Sequence, residues 1–148
     1  MEVEVQIVKA FVDGDKGGNP AGVVIDANGL SSSQKLGIAA KVGLSETAFI
    51  STSQTATLKL DFFTPTRQIA HCGHATIATF SLLRQLGLLA EGRHSKETID
   101  GNRDIQIESD LAFIEQSAPT YIPLEDHREA LADVIHSLHI TNNQLLEG

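Results

Sequence analysis

The sequence predicts an α+β fold with a curved, mostly antiparallel sheet. Three observations carry this reading. Segments 4–11 and 55–63 alternate side-chain character with the period of a half-buried strand, and segment 73–86 is apolar around most of a helical circumference. Asp100-Gly101, set between two strand-like runs, is a strong short-range hairpin signal. Strands, one helix, more strands around a buried helix and a final polar helix give a mixed order that fits α+β rather than a regular βαβ alternation. The 148 residues, 41% of them apolar, suffice for one compact domain, which at this size buries roughly 70% of its unfolded surface.

In the first strand, residues 4–11, Val5, Ile7 and Phe11 form an apolar face that Lys9 interrupts. Residues 13–20, Asp-Gly-Asp-Lys-Gly-Gly-Asn-Pro, combine turn formers with a proline that cannot donate to a ladder, and read as a loop. A short strand, 21–25, leaves it. Ser31 followed by Gln34 fits a capping box and starts a helix over 32–42, which Gly43 ends. Segments 46–51 and 55–63 read as strands, with Ala56, Leu58, Leu60 and Phe62 set against Thr57, Lys59 and Asp61. A buried helix over 73–86 stops at Gly87. The Asp100-Gly101 turn joins strands 96–99 and 103–108, and residues 111–116 add a third. After Pro119 and Pro123 the texture changes. Leu131, Val134, Ile135 and Leu138 follow helical spacing in a polar, acidic segment. This gives a lobe over 1–118, then a linker (118–125) and an acidic helix (126–139) within 119–148.

Net charge is −8, and all of it lies beyond residue 90: the first ninety residues hold seven basic and seven acidic side chains. No basic excess is available to neutralise a phosphate backbone or an anionic membrane, so neither nucleic acid nor membrane is an expected partner. Seven aromatics and no Trp argue against base- or sugar-stacking platforms. Cys72 is the single cysteine, the start Met1-Glu2-Val3-Glu4-Val5 lacks the features of a signal peptide, and no run approaches the roughly 20 apolar residues of a membrane span. A soluble, cytoplasmic protein with a small or polar ligand is expected.

His71-Cys72-Gly73-His74-Ala75-Thr76 lies where a loop feeds the buried helix. Free backbone N–H groups and the helix dipole can hold a carboxylate or phosphate there. The same residues could form a thiolate activated by the helix end, a metal site of Cys72 with its flanking histidines, or simply a closely packed helix start. Zinc is disfavoured, because these residues stand too close in sequence and no second ligand pair exists elsewhere. Glu46 stands between a helix and a strand. Desolvated there, it could relay a proton; taken alone, it is a solvated strand end. Asn19-Pro20 is most simply a turn, and His94, His127, His136 and His139 read as surface residues.

Four pieces occur in order: Gly17-Gly18-Asn19-Pro20-Ala21-Gly22-Val23-Val24, Ser45-Glu46-Thr47-Ala48-Phe49, Phe63-Thr64-Pro65 and Cys72-Gly73-His74-Ala75-Thr76. Together they resemble the PhzF-like isomerase family of phenazine biosynthesis, which is structurally related to diaminopimelate epimerase. The resemblance covers residues 3–125 in detail. It implies one lobe of a two-lobed fold, a strongly curved sheet wrapped around a central helix, with the active site between lobes. It also implies that Glu46 moves a proton on a small carboxylated ring substrate without cofactor or metal, that His74 and the backbone at Gly73 face the substrate carboxylate, and that Asn19 walls the pocket.

Cys72 stands where the epimerase relatives use a thiol, so an epimerase or racemase is one rival reading, though a packing role is favoured. A non-catalytic binding or assembly module is the other. Gln68 stands where the family usually carries Glu, and Lys9 where an Asp is common. The chain ends where a second lobe would begin, so a fragment or half-length form is expected, with a homodimer supplying the second wall.

Overall fold

The computed structural model describes residues 2–121, 123 and 127–141. Residues 1–116 form one compact unit and 117–148 another. The first unit holds β1 (Gln6–Asp13), β2 (Lys16–Val24), α1 (Ser32–Val42), β3 (Thr47–Ser51), β4 (Leu58–Phe63), β5 (Gln68–Ile69), α2 (Gly73–Gln85), β6 (Gly92–Thr98), β7 (Gly101–Glu108) and β8 (Leu111–Ile114). The strands form one sheet in the order β1-β2-β3-β4-β6-β7-β8, with β5 paired to β4. Pairing is antiparallel except for β2–β3 and β4–β6, the two places where a helix crosses over.

The sheet curls. Helix α2 packs against β1, β2 and β3 near one end and against β8 at the other, so both ends of the strand order reach a single helix. This is the expected curved sheet around a central helix. Its main core lies between α2 and the concave face, where Ala75, Ala78, Phe80, Leu82 and Leu83 meet Val23, Ala48, Leu60, Phe62, Ile105 and Ile107. A smaller core on the other face joins Ala39 of α1 to Val24, Phe49 and Phe63, with the last two rings edge to face at 5.6 Å.

Local chemistry explains the elements. The Ser31 side chain accepts from the Gln34 N–H while the Gln34 side chain accepts from the Ser31 N–H, the reciprocal cap expected at the start of α1. Gly43 closes that helix in the left-handed region, at φ 71°. In α2, the buried hydroxyls of Thr76 and Thr79 donate to the carbonyls of Cys72 and Ala75, so neither enters the core unsatisfied.

Several expectations change. Residues 13–20 are not a loop: only Gly14 and Asp15 turn, and β2 runs through Asn19 and Pro20, which pair with Ala10 and Lys9. Proline is tolerated there because β2 gains its second neighbour, β3, only from Gly22 onward. Gly18, at φ 83°, permits the close approach, since a Cβ would lie 2.6 Å from Val12 Cγ1. The inward face of β1 is also reversed. Val8 and Ala10 face the core, while Ile7 and Phe11 are exposed. Lys9 shares the Ile7–Phe11 face, and burying an unpaired ammonium costs more than exposing two apolar side chains.

Strand β4 begins at Leu58 because Ser53 Oγ accepts from the N–H groups of Thr55 and Ala56 and turns the chain before it. β5 is an unforeseen two-residue strand. His94 is half-buried rather than on the surface, with Nε2 2.8 Å from the Ala90 carbonyl oxygen and its ring beside Phe80. In the second unit, α3 spans Arg128–Ser137. Asp126, where the helix was expected to begin, and part of the expected linker lie outside the described residues.

Candidate active site

Two crossover helices bring the site together. α1 returns the chain to β3, and Glu46 immediately precedes that strand. Its carbonyl accepts the Gly22 N–H at 3.1 Å. Gly22 is required here, because a Cβ would sit 2.9 Å from Thr47 Oγ1 and 3.3 Å from Val42 Cγ1. On the other side, Cys72 is the N-cap of α2 in an extended conformation. The N–H groups of the first turn have no intrahelical acceptor. A Cβ added at Gly73 would meet no atom within 4 Å, so the space beside that turn is open.

His74 joins the halves. Its Nε2 lies 3.4 Å from Glu46 Oε2 and its Nδ1 3.4 Å from Cys72 Sγ. Nε2 and Oε2 are buried and near, yet not in hydrogen-bonding geometry. One donor atom from each of Glu46, Cys72 and His74 falls within 4.8 Å of the others, close enough to reach one ion. The imidazole turns Nε2 toward the carboxylate and Nδ1 toward the thiol, an arrangement that suits proton relay.

Burial pushes the Cys72 thiol above its ordinary range, and the Glu46 carboxylate pushes it the same way; the backbone N–H groups of Ala75 and His74 oppose this without prevailing. A thiol held protonated is a poor base, which disfavours the thiol-epimerase rival. Asn19 is exposed on β2, opposite Ala10, and no hydrogen bond among the described residues ties it to Glu46, Cys72 or His74.

Both departures find a place. Gln68 Nε2 donates to Asp61 Oδ1 at 3.3 Å, while Asp61 Oδ2 takes a 2.6 Å ion pair from buried Lys35. A glutamate at 68 would face that aspartate as a like charge. Lys9 is exposed on the outward face of β1, opposite Pro20.

One group escaped the sequence reading. Lys96 of β6 is fully buried. Its Nζ lies 2.8 Å from Thr76 Oγ1, 3.1 Å from His71 Nδ1 and 5.0 Å from the centre of the Phe62 ring. Burial holds its pKa down to about 8. Burial, followed by the Lys96 charge, also lowers that of His71. The available signal was the alternation of β6, which turns Lys96 and Thr98 to the same buried side.

The family model described as phenazine biosynthesis-like protein (PhzC-PhzF) matches residues 8–146. The chain belongs to this PhzF-like family. It is 37% identical over 139 residues to the uncharacterized isomerase YfhB of Bacillus subtilis, covering 90% of this chain and 47% of that protein. It is 35% identical to the uncharacterized isomerase YddE of Escherichia coli K12, over all of this chain and 51% of the relative. The crystal structure of a PhzF-family phenazine biosynthesis protein from Bacillus anthracis superposes with a TM-score of 0.76 at 35% identity, over 90% of this chain and 47% of that one. The PhzF-like chain thus spans about half the length of these relatives, and what is folded here corresponds to one lobe. No helix among the described residues is long and apolar enough to cross a membrane.

Proposed function

We propose that this PhzF-like lobe takes part in a cofactor- and metal-independent isomerisation, in which Glu46 removes a proton from a small carboxylated ring substrate and returns it at another carbon. The observation that carries the reading is the Glu46–His74 pair at the first turn of α2, 3.4 Å apart with its facing atoms buried. A single carboxylate can serve as base and then as acid when the proton stays in a site that excludes water. The Gly73–His74 backbone offers donors for the substrate carboxylate, and binding it there would fix the ring carbon relative to Glu46. Asn19 would contribute a polar edge to the same pocket. Residues 1–118 form the working lobe in this reading, 119–148 begin a second, and the protein acts in the cytoplasm.

A second copy of the chain is the partner this reading assigns. The two outer strands of the sheet, β1 and β8, expose Phe11, Val12, Leu111 and Phe113, which border a groove floored by Ile77 and Ala78 of α2. Contiguous apolar surface of this kind is ordinarily covered, and two similar lobes about a two-fold axis would imitate a two-lobed relative. Sedimentation equilibrium at micromolar concentration should give twice 15.9 kDa; a clean monomer removes the dimer.

The reaction is tested by solvent-deuterium incorporation into a dihydro-aromatic acid. The wild-type chain should exchange and Glu46→Gln should not. Equal exchange in both refutes the role of Glu46, and exchange in neither refutes the activity of this chain. A binding module would show the second pattern while still retaining carboxylate affinity.

A further inference from the structure

Lys96 is a cation in an expensive place. Its ammonium is buried, and it lies under the first turn of α2, where the helix dipole is already positive. Among the described residues no carboxylate oxygen comes within 4.0 Å of it. Its two hydrogen-bond partners, Thr76 Oγ1 and His71 Nδ1, are neutral acceptors, and the Phe62 ring lies 5.0 Å away. Desolvating an ammonium without a counter-ion is costly. A sequence seeking only packing would place an apolar residue beside Phe62.

The position is a built one. Lys96 donates to Thr76 Oγ1, and Thr76 in turn donates to the carbonyl of Cys72, the N-cap residue. Lys96 also holds His71, the residue before it. The ammonium therefore braces the backbone that ends in the Gly73–His74 donors and adds positive charge behind it.

We propose that Lys96 is the positioning residue behind the substrate carboxylate: its ammonium, held by Thr76 and His71, sets the shape and charge of the Gly73–His74 corner, so that anion binding and Lys96 protonation are linked. This rests on the reading that the corner binds a carboxylate. The groups facing Lys96 are His71 and Cys72 from the loop and cap before α2, Thr76 from α2, Phe62 from β4, Asp100 from the β6–β7 turn and Arg103 from β7. Burial, with a lesser push from Arg103, opposes the charged form while Asp100 favours it, which leaves the ammonium titrating near 8 and sensitive to an added anion.

Benzoate binding to the full chain, followed by calorimetry and by amide shifts of Gly73 and His74, tests the linkage without requiring turnover. Wild type should bind benzoate about tenfold more weakly at pH 9.5 than at pH 7.2, as one positive charge near the site is lost. Lys96→Met, an unbranched apolar replacement, should bind at the weaker level at both pH values. Saturating benzoate should raise the pKa of Lys96 as read from its side-chain nitrogen resonance, because linkage is reciprocal. Affinity independent of pH in wild type, a pH dependence retained in Lys96→Met, or no benzoate binding at any pH each overturns the proposal. Should Lys96→Met fail to fold, the resonance shift in wild type decides alone. Loss of deuterium exchange with benzoate linkage intact would instead count only against the isomerase reading.

Discussion

His74 Nε2 faces Glu46 Oε2 at 3.4 Å, while Nδ1 of the same ring faces Cys72 Sγ at 3.4 Å. A thiol kept protonated by burial has a hydrogen to give, and Nδ1 lies in position to accept it. Cys72 is then placed as a buried donor to His74 rather than as a base.

Cys72→Ser should therefore keep deuterium exchange within about threefold of wild type, a barrier change of about 0.7 kcal/mol, because a hydroxyl also donates to Nδ1. Iodoacetamide should alkylate Cys72 more slowly at pH 7.5 than it alkylates free cysteine, since the thiolate is scarce. Abolished exchange in Cys72→Ser, or fast alkylation, would restore the thiol-base reading.

Gly22 supports Glu46 from the neighbouring strand. In Gly22→Ala the new methyl meets Thr47 Oγ1 at 2.9 Å and Val42 Cγ1 at 3.3 Å. Thr47 is fully buried and cannot swing away freely. Urea denaturation should show a loss of about 1–3 kcal/mol, the usual range for overpacking. Because the Gly22 N–H holds the Glu46 carbonyl, the Glu46 amide resonance should also move. A variant as stable as wild type would show that β2 and β3 have slack.

The sequence disclosed what local chemistry controls and hid what depends on which partner lies opposite. Ser31 and Gln34 announce their reciprocal cap within four residues, and the alternation of Leu58, Leu60 and Phe62 matches the buried face of β4. The Asp100-Gly101 turn and the buried α2 were legible for similar reasons. In β1, apolar side chains occur on both faces, and only the identity of Lys9 chooses between them. The glycines before Asn19-Pro20 looked like loop formers because backbone tolerance was visible and the edge position of that strand was not. Lys96 was opaque for the opposite reason: a lysine reads as solvated until Thr76, His71 and Phe62, contributed by other elements, close over it. Glu46 and His74, 28 positions apart, could be joined beforehand only through the family resemblance.

The Lys35–Asp61 pair should behave as a buried ion pair, since both side chains are about nine-tenths covered and Nζ lies 2.6 Å from Oδ2. Lys35→Met leaves the aspartate with Gln68 as its remaining hydrogen-bond partner among the described residues, and should lower unfolding stability by about 3 kcal/mol. The double variant Lys35→Met with Asp61→Leu should recover much of this, because removing both charges removes the desolvation cost as well. Gln68→Glu should destabilise by setting a like charge against Asp61. Additive single and double effects would mean that the pair is not coupled.

The last prediction concerns pH and Lys96. A free lysine titrates at about 10.4, whereas the folded chain holds Lys96 down to about 8. Below pH 8 both the folded and the unfolded chain carry the proton, and the full cost of the buried charge is present. Between about 8 and 10.4 the unfolded chain binds more protons than the folded one, so stability must rise with pH across this window. Above it both forms are neutral and the contribution is flat. The difference in pKa corresponds to about 3 kcal/mol over the whole window, of which roughly half should be visible between pH 7.5 and 9.5. Lys96→Met removes the titrating group and fills the space beside Phe62, so it should be more stable than wild type at pH 7.5 and should converge with it as the pH rises. Urea midpoints collected for both proteins across this range measure the difference. Parallel curves would mean that Lys96 titrates normally. A saturating carboxylate should flatten the wild-type curve from the acid side by stabilising the charged folded form, connecting the stability profile to the anion site through the same ammonium.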